Sequence, residues 1–221
     1  MEICKLENIR KDYKMGETVT PLKGLSLSVK EGDFICVEGP SGIGKSTLLY
    51  VLGMLLQSDE GVYSFEGKDI SKLSDREKSR LRAEKIGFLF QDTNLIQALT
   101  LKENMLFAQS VCGKKDMAQV EMLLEAFGLD DRAHFFPHQL SGGQRRRAMA
   151  ARSLIHAPKL ILADEPTNDL DEHWAGEIVR LMKAEAEKGS AVIMVTHNSN
   201  WAKQANRRYR LEDGCLVEIE N

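Results

Sequence analysis

A length of 221 residues suits one large α/β domain or one domain with a small insert, and 43% hydrophobic with 29% charged residues is ordinary for a packed globular protein. A net charge of −3 at pH 7 excludes a strongly basic balance, so nucleic acid is not expected as a partner. The apolar runs are too short to span a membrane, the charged N-terminus does not fit a secretory signal, and the four cysteines contain no CxxC pair, so we expect a cytoplasmic chain with reduced thiols.

Strand and helix patterns alternate through the first 90 residues. Residues 22–39 predict two strands joined by a turn, and the second, FICVEG, is apolar enough to be buried. A glycine-rich turn follows, and a helix begins near Lys45. Farther on, GVYSFEGKDI predicts a strand pair, SDREKSRLRAEK a polar helix and IGFLF a strand. This alternation predicts a largely parallel sheet.

A stretch with only helical patterns interrupts the alternation at about residues 95–156. Within residues 100–128, apolar residues recur at spacings of three and four and predict one buried helical face. That face contains Val120, Leu123, Leu124 and Phe127, and Met117 and Met122 are also predicted to be packing residues. We interpret the stretch as a helical subdomain inserted into an α/β core.

The remaining sequence returns to strand and helix patterns. LILAD and AVIMV predict buried strands on either side of the helix EHWAGEIVRLMKAEAEK, and RRYRLEDGCLVEI predicts a closing hairpin. The predicted fold is α/β, with a mostly parallel sheet, an antiparallel β subdomain and the inserted α-helical subdomain. We expect a single domain over residues 1–221.

The segment GPSGIGKST, directly after FICVEG, has the pattern of a phosphate-binding loop. It fits GxxxxGK followed by Ser or Thr, in the strand–helix context that this motif requires. Backbone N–H groups can close around the β-phosphate, Lys45 can reach the β- and γ-phosphates, and Ser46 can ligate Mg²⁺. A glycine-rich turn with a chance lysine is the competing interpretation. The predicted nucleotide-binding residues of this P-loop NTPase core are Gly39, Pro40, Ser41, Gly42, Ile43, Gly44, Lys45, Ser46 and Thr47.

Polar residues also follow three other predicted strands. Asp164 and Glu165 end LILADE, and ligands bind at that edge of open α/β sheets. Asp164 can hold Mg²⁺ through its water shell, and Glu165 can polarise an attacking water. Gln91, after IGFLF, can bind Mg²⁺ and sense the γ-phosphate, and His197, after AVIMVT, can hydrogen-bond it. Taken singly, such residues are more often solvated or structural, so the case for each depends on its position.

A second glycine-rich segment, LSGGQ at residues 140–144, precedes a predicted helix. Exposed N–H groups at a helix start can hold an anion, so the chain carries two candidate phosphate cradles. The order GPSGIGKST, Gln91, LSGGQ, LILADEP, NDLD and His197 resembles the ATP-binding cassette family over essentially the whole chain. LSGGQ is the discriminating element, because kinases, GTPases and helicases share the P-loop alone.

The resemblance assigns the second cradle to a partner subunit. In that family two chains pack head-to-tail around two ATP molecules, and LSGGQ faces the γ-phosphate bound by the other chain. The matching residues here are Ser141, Gly142, Gly143 and Gln144. Tyr13 lies where the family has an aromatic residue that stacks on adenine, although a plain surface tyrosine is the alternative. NDLD, at 168–171, matches the loop that bridges the two sites.

The segment LRAEKIGFLFQDTNLIQALTLKENM is similar to one subgroup of the family. Its members are the ATPases of macrolide-export, lipoprotein-release, antimicrobial-peptide-resistance and cell-division complexes. The resemblance implies a transmembrane subunit that docks near Gln91–Asn104, and hence a location on the inner face of the cell membrane. Two departures are visible: NDLD stands where the subgroup usually has GNLD, and GGQRRR where it often has GGQQQR.

The docking segment contains four apolar residues close together. They predict an exposed apolar patch, which often marks a binding site, unless all four pack inside the subdomain. These residues are Leu95, Ile96, Leu99 and Leu101.

Two other functions compete with an ATPase that drives a membrane protein. QRRRAMAAR and NRRYR favour a soluble cassette ATPase that acts on nucleic acid or ribosomes. Arg147 and Arg152, however, lie on the helix after LSGGQ, where we expect arginines to pair with local acids. The third alternative is a nucleotide kinase, against which LSGGQ argues.

Overall fold

Two β-sheets and seven α-helices make up the computed structural model, which describes residues 1–219 apart from the side chain of Met15. The strands are β1 (Glu2–Met15), β2 (Glu17–Lys30), β3 (Phe34–Glu38), β4 (Glu60–Phe65), β5 (Lys68–Asp69), β6 (Ile86–Leu89), β7 (Leu160–Asp164), β8 (Ala191–Thr196), β9 (Arg207–Glu212) and β10 (Cys215–Ile219). The helices are α1 (Lys45–Leu52), α2 (Asp75–Lys85), α3 (Leu101–Val111), α4 (Met117–Ala126), α5 (Gly142–Leu154), α6 (Glu172–Glu187) and α7 (Ser199–Ala202).

The central sheet has the order β10-β9-β3-β8-β7-β6, and only the β9–β10 hairpin is antiparallel. Its inner strands are apolar on both sides because both sides are covered. In β3, Phe34 and Cys36 join the apolar cluster under the helical subdomain, whereas Ile35 and Val37 join the cluster between the two sheets. Since the parallel strands run the same way, the carboxyl ends of β3, β6, β7 and β8 lie along one edge of the sheet.

The second sheet is antiparallel, in the order β2-β1-β4-β5. The sequence did not predict β1, whose buried residues are separated by charged ones. Leu6 and Ile9 are buried, and register irregularities interrupt the β1–β2 pairing. This long, bulged strand carries Tyr13 toward the P-loop side of the molecule.

The helical subdomain lies between β6 and β7 in the sequence, as predicted. Val120, Leu124 and Phe127 are buried on the inner face of α4 and its end. The expectation that Met117 and Met122 are packing residues is wrong: they are 44% and 58% exposed, because they lie on the outer face of α4. With the two sheets, this subdomain confirms the predicted α/β architecture.

No helix within residues 1–219 is both long enough and apolar enough to cross a membrane.

Candidate functional site

The P-loop connects the buried end of β3 to the start of α1. Lys45, the first residue of α1, is 8% exposed and turns its ammonium group back into the loop. There it donates to the carbonyl oxygens of Gly39, at 2.6 Å, and Pro40, at 2.9 Å. The loop is therefore closed around its own lysine, with the ammonium protons directed at carbonyls rather than at solvent.

Gly44 fixes how closely the P-loop approaches the antiparallel sheet. It caps α1 in a left-handed conformation with φ of 117°. A Cβ at this position would lie 2.8 Å from Cβ and 2.9 Å from the carbonyl oxygen of Pro21 on β2. Both the backbone conformation and the missing side chain are thus required here.

Asp164 ends β7 beside the P-loop and is 2% exposed. Burial raises the pKa of its carboxyl group, and the Ser46 hydroxyl and the Lys45 ammonium partly offset this effect. Asp164, Ser46 and Gln91 all line one cavity and offer only oxygen ligands to a metal. This donor set fits Mg²⁺, which prefers carboxylate, hydroxyl and phosphate oxygens and keeps several waters.

Glu165 follows directly and turns the chain away from the sheet with φ of 47°. Its Oε1 lies 2.9 Å from Nδ1 of His197, which follows β8. Its Oε2 is buried and has no hydrogen-bond partner among the described residues. A carboxylate oxygen accepts hydrogen bonds, so we assign the donor role to Nδ1, which leaves Nε2 of the exposed imidazole available. Glu165 thus has one oriented oxygen and one free acceptor.

These residues surround one cavity of about 420 Å³. Its lining includes the predicted residues Tyr13, Ser41, Gly42, Gly44, Lys45, Ser46, Thr47, Gln91, Asp164, Glu165 and His197. Gly39 and Pro40 contribute carbonyls to Lys45 instead, and Ile43 packs against the apolar core. A larger cavity of about 630 Å³, beside β4 and α2, contains none of the predicted residues.

Three lining residues were not identified from the sequence. Val19 and Pro21 come from β2, and Asn168 comes from NDLD. Asn168 could have been found, because it lies three residues beyond Glu165 in a motif already noted. No local pattern marks Val19 or Pro21, since only the packing of the two sheets brings them to the P-loop.

The LSGGQ residues do not line this cavity. Ser141 and Gln144 cap α5 reciprocally: the Ser141 hydroxyl accepts from the Gln144 N–H at 3.2 Å, and the Gln144 side chain accepts from the Ser141 N–H at 2.9 Å. Gly142 is exposed, and a Cβ on Gly143 would lie 3.3 Å from the Asp169 carbonyl oxygen. The LSGGQ segment, called the signature below, is therefore a capped, exposed helix start that lies against NDLD.

Within residues 1–219, the arginines that follow LSGGQ do not pair with acids, contrary to expectation. Arg147 donates to the carbonyls of Phe127, at 2.6 Å, and Gly128, at 2.9 Å, and its guanidinium lies 3.9 Å from the ring centroid of Trp174. Arg152 donates to the backbone and side chain of Asn94. The reason is geometric: the segments that lie against this part of α5, after α4 and after β6, present backbone carbonyls to it.

Comparison with known proteins finds one matching family and relatives of about 40% identity. Residues 22–168 match the family described as ABC transporter. The chain is 42% identical over 219 residues to the macrolide export ATP-binding/permease protein MacB of Bdellovibrio bacteriovorus, a match that covers 97% of this chain but 33% of that protein. The chain thus spans about a third of the length of the MacB relatives that it matches. An uncharacterized ABC transporter ATP-binding protein of Thermotoga maritima is 41% identical and is matched over 95% of its length, with 99% of this chain covered.

A solved structure matches the fold over nearly its whole length. It is an ATP-binding cassette described as a dimeric post-hydrolysis state bound to ADP and Pi. The TM-score is 0.93 at 37% identity, with 99% of this chain and 98% of that chain covered.

Gly44→Ala should destabilise the chain more than Gly189→Ala. Both glycines have left-handed φ values, 117° and 104°, but a Cβ on Gly189 meets nothing within 4 Å. We expect Gly189→Ala to lower the free energy of unfolding by about 1–2 kcal/mol. Contact with Pro21 should add about 1–3 kcal/mol for Gly44→Ala. Denaturant titration measures both, and equal losses would show that the Pro21 contact imposes no constraint.

Proposed function

Because the chain belongs to the ABC transporter family, we propose that residues 1–221 form one nucleotide-binding domain that binds ATP with Mg²⁺ and hydrolyses ATP. Two copies would close head-to-tail around two ATP molecules and drive a separate transmembrane partner. The work done would be export, lipoprotein release or mechanotransmission, and the chain would lie on the inner face of the cell membrane through that partner.

The geometry of Glu165 is the observation that carries the proposed hydrolysis. Its unpartnered Oε2 belongs to a carboxylate that lines the same cavity as Lys45, Ser46 and Asp164. We assign Glu165 as the general base that accepts a proton from the attacking water. His197 orients Glu165 through Oε1 and offers Nε2 to the γ-phosphate.

The remaining cavity residues have binding roles in this proposal. Lys45 would exchange its two carbonyl acceptors for phosphate oxygens, and the P-loop N–H groups would surround the β-phosphate. Ser46, Asp164 and Gln91 would hold Mg²⁺, which supplies charge neutralisation on the phosphates. Tyr13 lines the same cavity and would offer an aromatic face to the base.

Glu165→Gln should keep ATP binding and slow hydrolysis by roughly 10²–10⁴-fold, because an amide cannot accept the proton. Lys45→Ala should instead weaken ATP binding, because it removes a phosphate contact. Phosphate release at saturating ATP measures the first effect, and titration with a fluorescent ATP analogue measures the second. A Glu165→Gln chain that hydrolyses ATP at near the parent rate would refute the assignment.

The exposed signature supports a shared site rather than a self-contained one. Ser141 and Gly142 are exposed and do not line the cavity that contains Lys45. The N–H groups at the start of α5 are therefore open to an anion that a second copy brings, and we assign them to that role. The related cassette of known structure is described as a dimer bound to ADP and Pi, in agreement with this arrangement.

Mixing two defective chains should restore ATP-dependent dimer formation. Lys45→Ala damages the P-loop and Ser141→Arg obstructs the signature, so each homodimer has both sites damaged. If sites are shared, a mixed dimer collects both lesions in one site and leaves the other intact. With Glu165→Gln added to prevent turnover, size-exclusion chromatography with ATP should show dimer only in the mixture.

Ser74→Arg is the matched control for the loss of a helix cap. Ser74 caps α2 with the same reciprocal bonds as Ser141 and lies outside the cavity. With Glu165→Gln added and ATP present, a Ser74→Arg chain should therefore form a homodimer without being mixed with another variant. If the mixture of folded mutants shows no recovery, the shared-site assignment of LSGGQ fails.

An apolar groove supports docking of the transmembrane partner beside the segment Gln91–Asn104. Of the four leucine and isoleucine residues predicted there, Leu95 and Leu101 are buried and Ile96 and Leu99 are half-buried. The exposed apolar surface is larger on α3, where Phe107 is 50% and Val111 56% exposed. The groove has a volume of about 490 Å³ and is lined by Phe88, Phe90, Ile96, Phe107, Ala108 and Val111, among others. A short amphipathic helix from a loop of the partner is the occupant that we propose.

The proposal favours a membrane partner over nucleic acid. The arginine cluster after LSGGQ is largely unavailable for phosphate contacts, because Arg146 and Arg147 are buried. Relatives named macrolide export ATP-binding/permease proteins join a matching cassette to a permease in one chain. We propose that the present cassette likewise transmits the work of ATP hydrolysis to a permease.

Phe107→Glu should release the chain from membranes without loss of ATP binding, because a charge in the groove would oppose an apolar helix. Met122→Glu is the control, since Met122 is 58% exposed on α4 and does not line the groove. The measurement is the fraction of tagged chain that stays on salt-washed membranes of its host. Equal retention of both folded variants would contradict docking in this groove.

A further inference from the structure

The two strands that lead to Gln91 and Glu165 lose their pairing with each other just before these residues, although the Glu165 N–H still donates to the Val195 carbonyl oxygen on β8 at 3.0 Å. Parallel pairing of β6 with β7 ends at Leu89 and Ala163. Beyond that pair, β6 continues into Gln91 and β7 into the left-handed turn at Glu165. The relative position of the two residues must therefore be held by something other than the β6–β7 ladder.

One guanidinium group bridges the two strand ends. Nη1 of Arg146 donates to the carbonyl oxygens of Phe90, at 2.6 Å, and Gln91, at 2.9 Å. Nη2 of the same residue donates to the carbonyl oxygens of Asp164, at 3.3 Å, and Glu165. Each nitrogen thus serves one strand end, and the planar guanidinium fixes the spacing between them.

Arg146 is a buried cation whose hydrogen-bond partners are backbone carbonyl oxygens. The side chain is 4% exposed, and within residues 1–219 it forms no ion pair. Burial lowers the pKa of Arg146, and the nearby carboxylates of Asp169, Asp164 and Glu165 oppose that effect. A buried cation that is satisfied mainly by backbone carbonyls stabilises their arrangement and is costly to misplace.

We propose that Arg146 is a positioning residue that aligns Gln91 and Glu165 on the same nucleotide. It would also couple this alignment to α5, since Arg146 lies on the helix that LSGGQ begins. Glu165 needs such support because its left-handed backbone persists only where neighbours fix it. The inference rests on the assignment of Glu165 as general base.

Arg146→Met is the informative substitution, because the related pattern GGQQQR has glutamine at position 146 and an amide can still donate to one strand end. Methionine has no hydrogen-bond donor, so it leaves the carbonyls of both strand ends without this partner. Arg147→Met is the matched control: Arg147 is the next residue of the same helix, it is buried, and it also donates to two carbonyls, but those belong to Phe127 and Gly128. Arg146→Lys keeps the charge but concentrates the donors on one nitrogen.

Steady-state ATP hydrolysis by the purified chain separates positioning from binding. We expect Arg146→Met to lower kcat by roughly 10- to 100-fold, with KM for ATP within about threefold of the parent, because a small displacement of a catalytic group has effects of this size. Arg146→Lys should recover part of kcat. Arg147→Met should keep kcat even where it lowers the melting temperature. Equal losses of kcat in both methionine variants would assign Arg146 to general stability and overturn the proposal.

Hydrogen–deuterium exchange in nucleotide-free chain gives an answer that does not depend on activity. Arg146→Met should speed amide exchange in the segment that includes Asn168, whose N–H donates to the Glu165 carbonyl at 3.2 Å. Unchanged exchange there would show that Arg146 does not hold the turn. A parent chain without ATPase activity would refute the proposed function, and exchange would still decide the role of Arg146. Failure of both Arg146 variants to fold would also overturn a positioning role.

Discussion

The central sheet can be parallel only if both of its faces are buried, and this constraint determines where polar chemistry is possible. Residues at alternate positions of β3, β7 and β8 enter opposite apolar clusters, so neither face offers space for a charged ligand. The carboxyl edge is different, because five parallel strands end there and the chain must turn away. The P-loop, Gln91, Glu165 and His197 all follow strands that end at that edge.

Backbone carbonyls supply much of the electrostatic support around the site. Lys45, Arg146 and Arg147 are each buried, and each directs its cationic group at carbonyl oxygens of loops or helix ends. Main-chain groups at strand and helix ends need partners when they are buried. The three cations therefore supply hydrogen bonds to backbone carbonyl oxygens that have no partner within a sheet or helix. These hydrogen bonds also fix the geometry of the loops.

The sequence predicted those features whose physical cause is local. Buried strands follow from apolar runs, and the P-loop follows from glycines and a lysine at fixed spacing, so β3, β7, β8 and Lys45 were identified directly. Features that depend on distant contacts were missed. Strand β1 is hidden by its charged residues, Met122 lies on an outer face that periodicity alone did not distinguish, and Pro21 reaches the P-loop only through sheet packing. The acceptors of Arg147 could not be predicted, since carbonyl positions depend on the whole fold.

The reciprocal caps of three α-helices differ in the charge of the residue at the third helical position, and this charge changes how well a helix start accommodates an anion. Helices α2 and α3 use Ser74 with Glu77 and Thr100 with Glu103, whereas α5 uses Ser141 with Gln144. A carboxylate caps as well as an amide does, but it adds negative charge beside the free N–H groups. Neutral Gln144 closes the cap and leaves the positive end of the helix dipole uncompensated. Within one chain, the charge of the third helical residue thus distinguishes a helix start that repels an anion from one that can receive it.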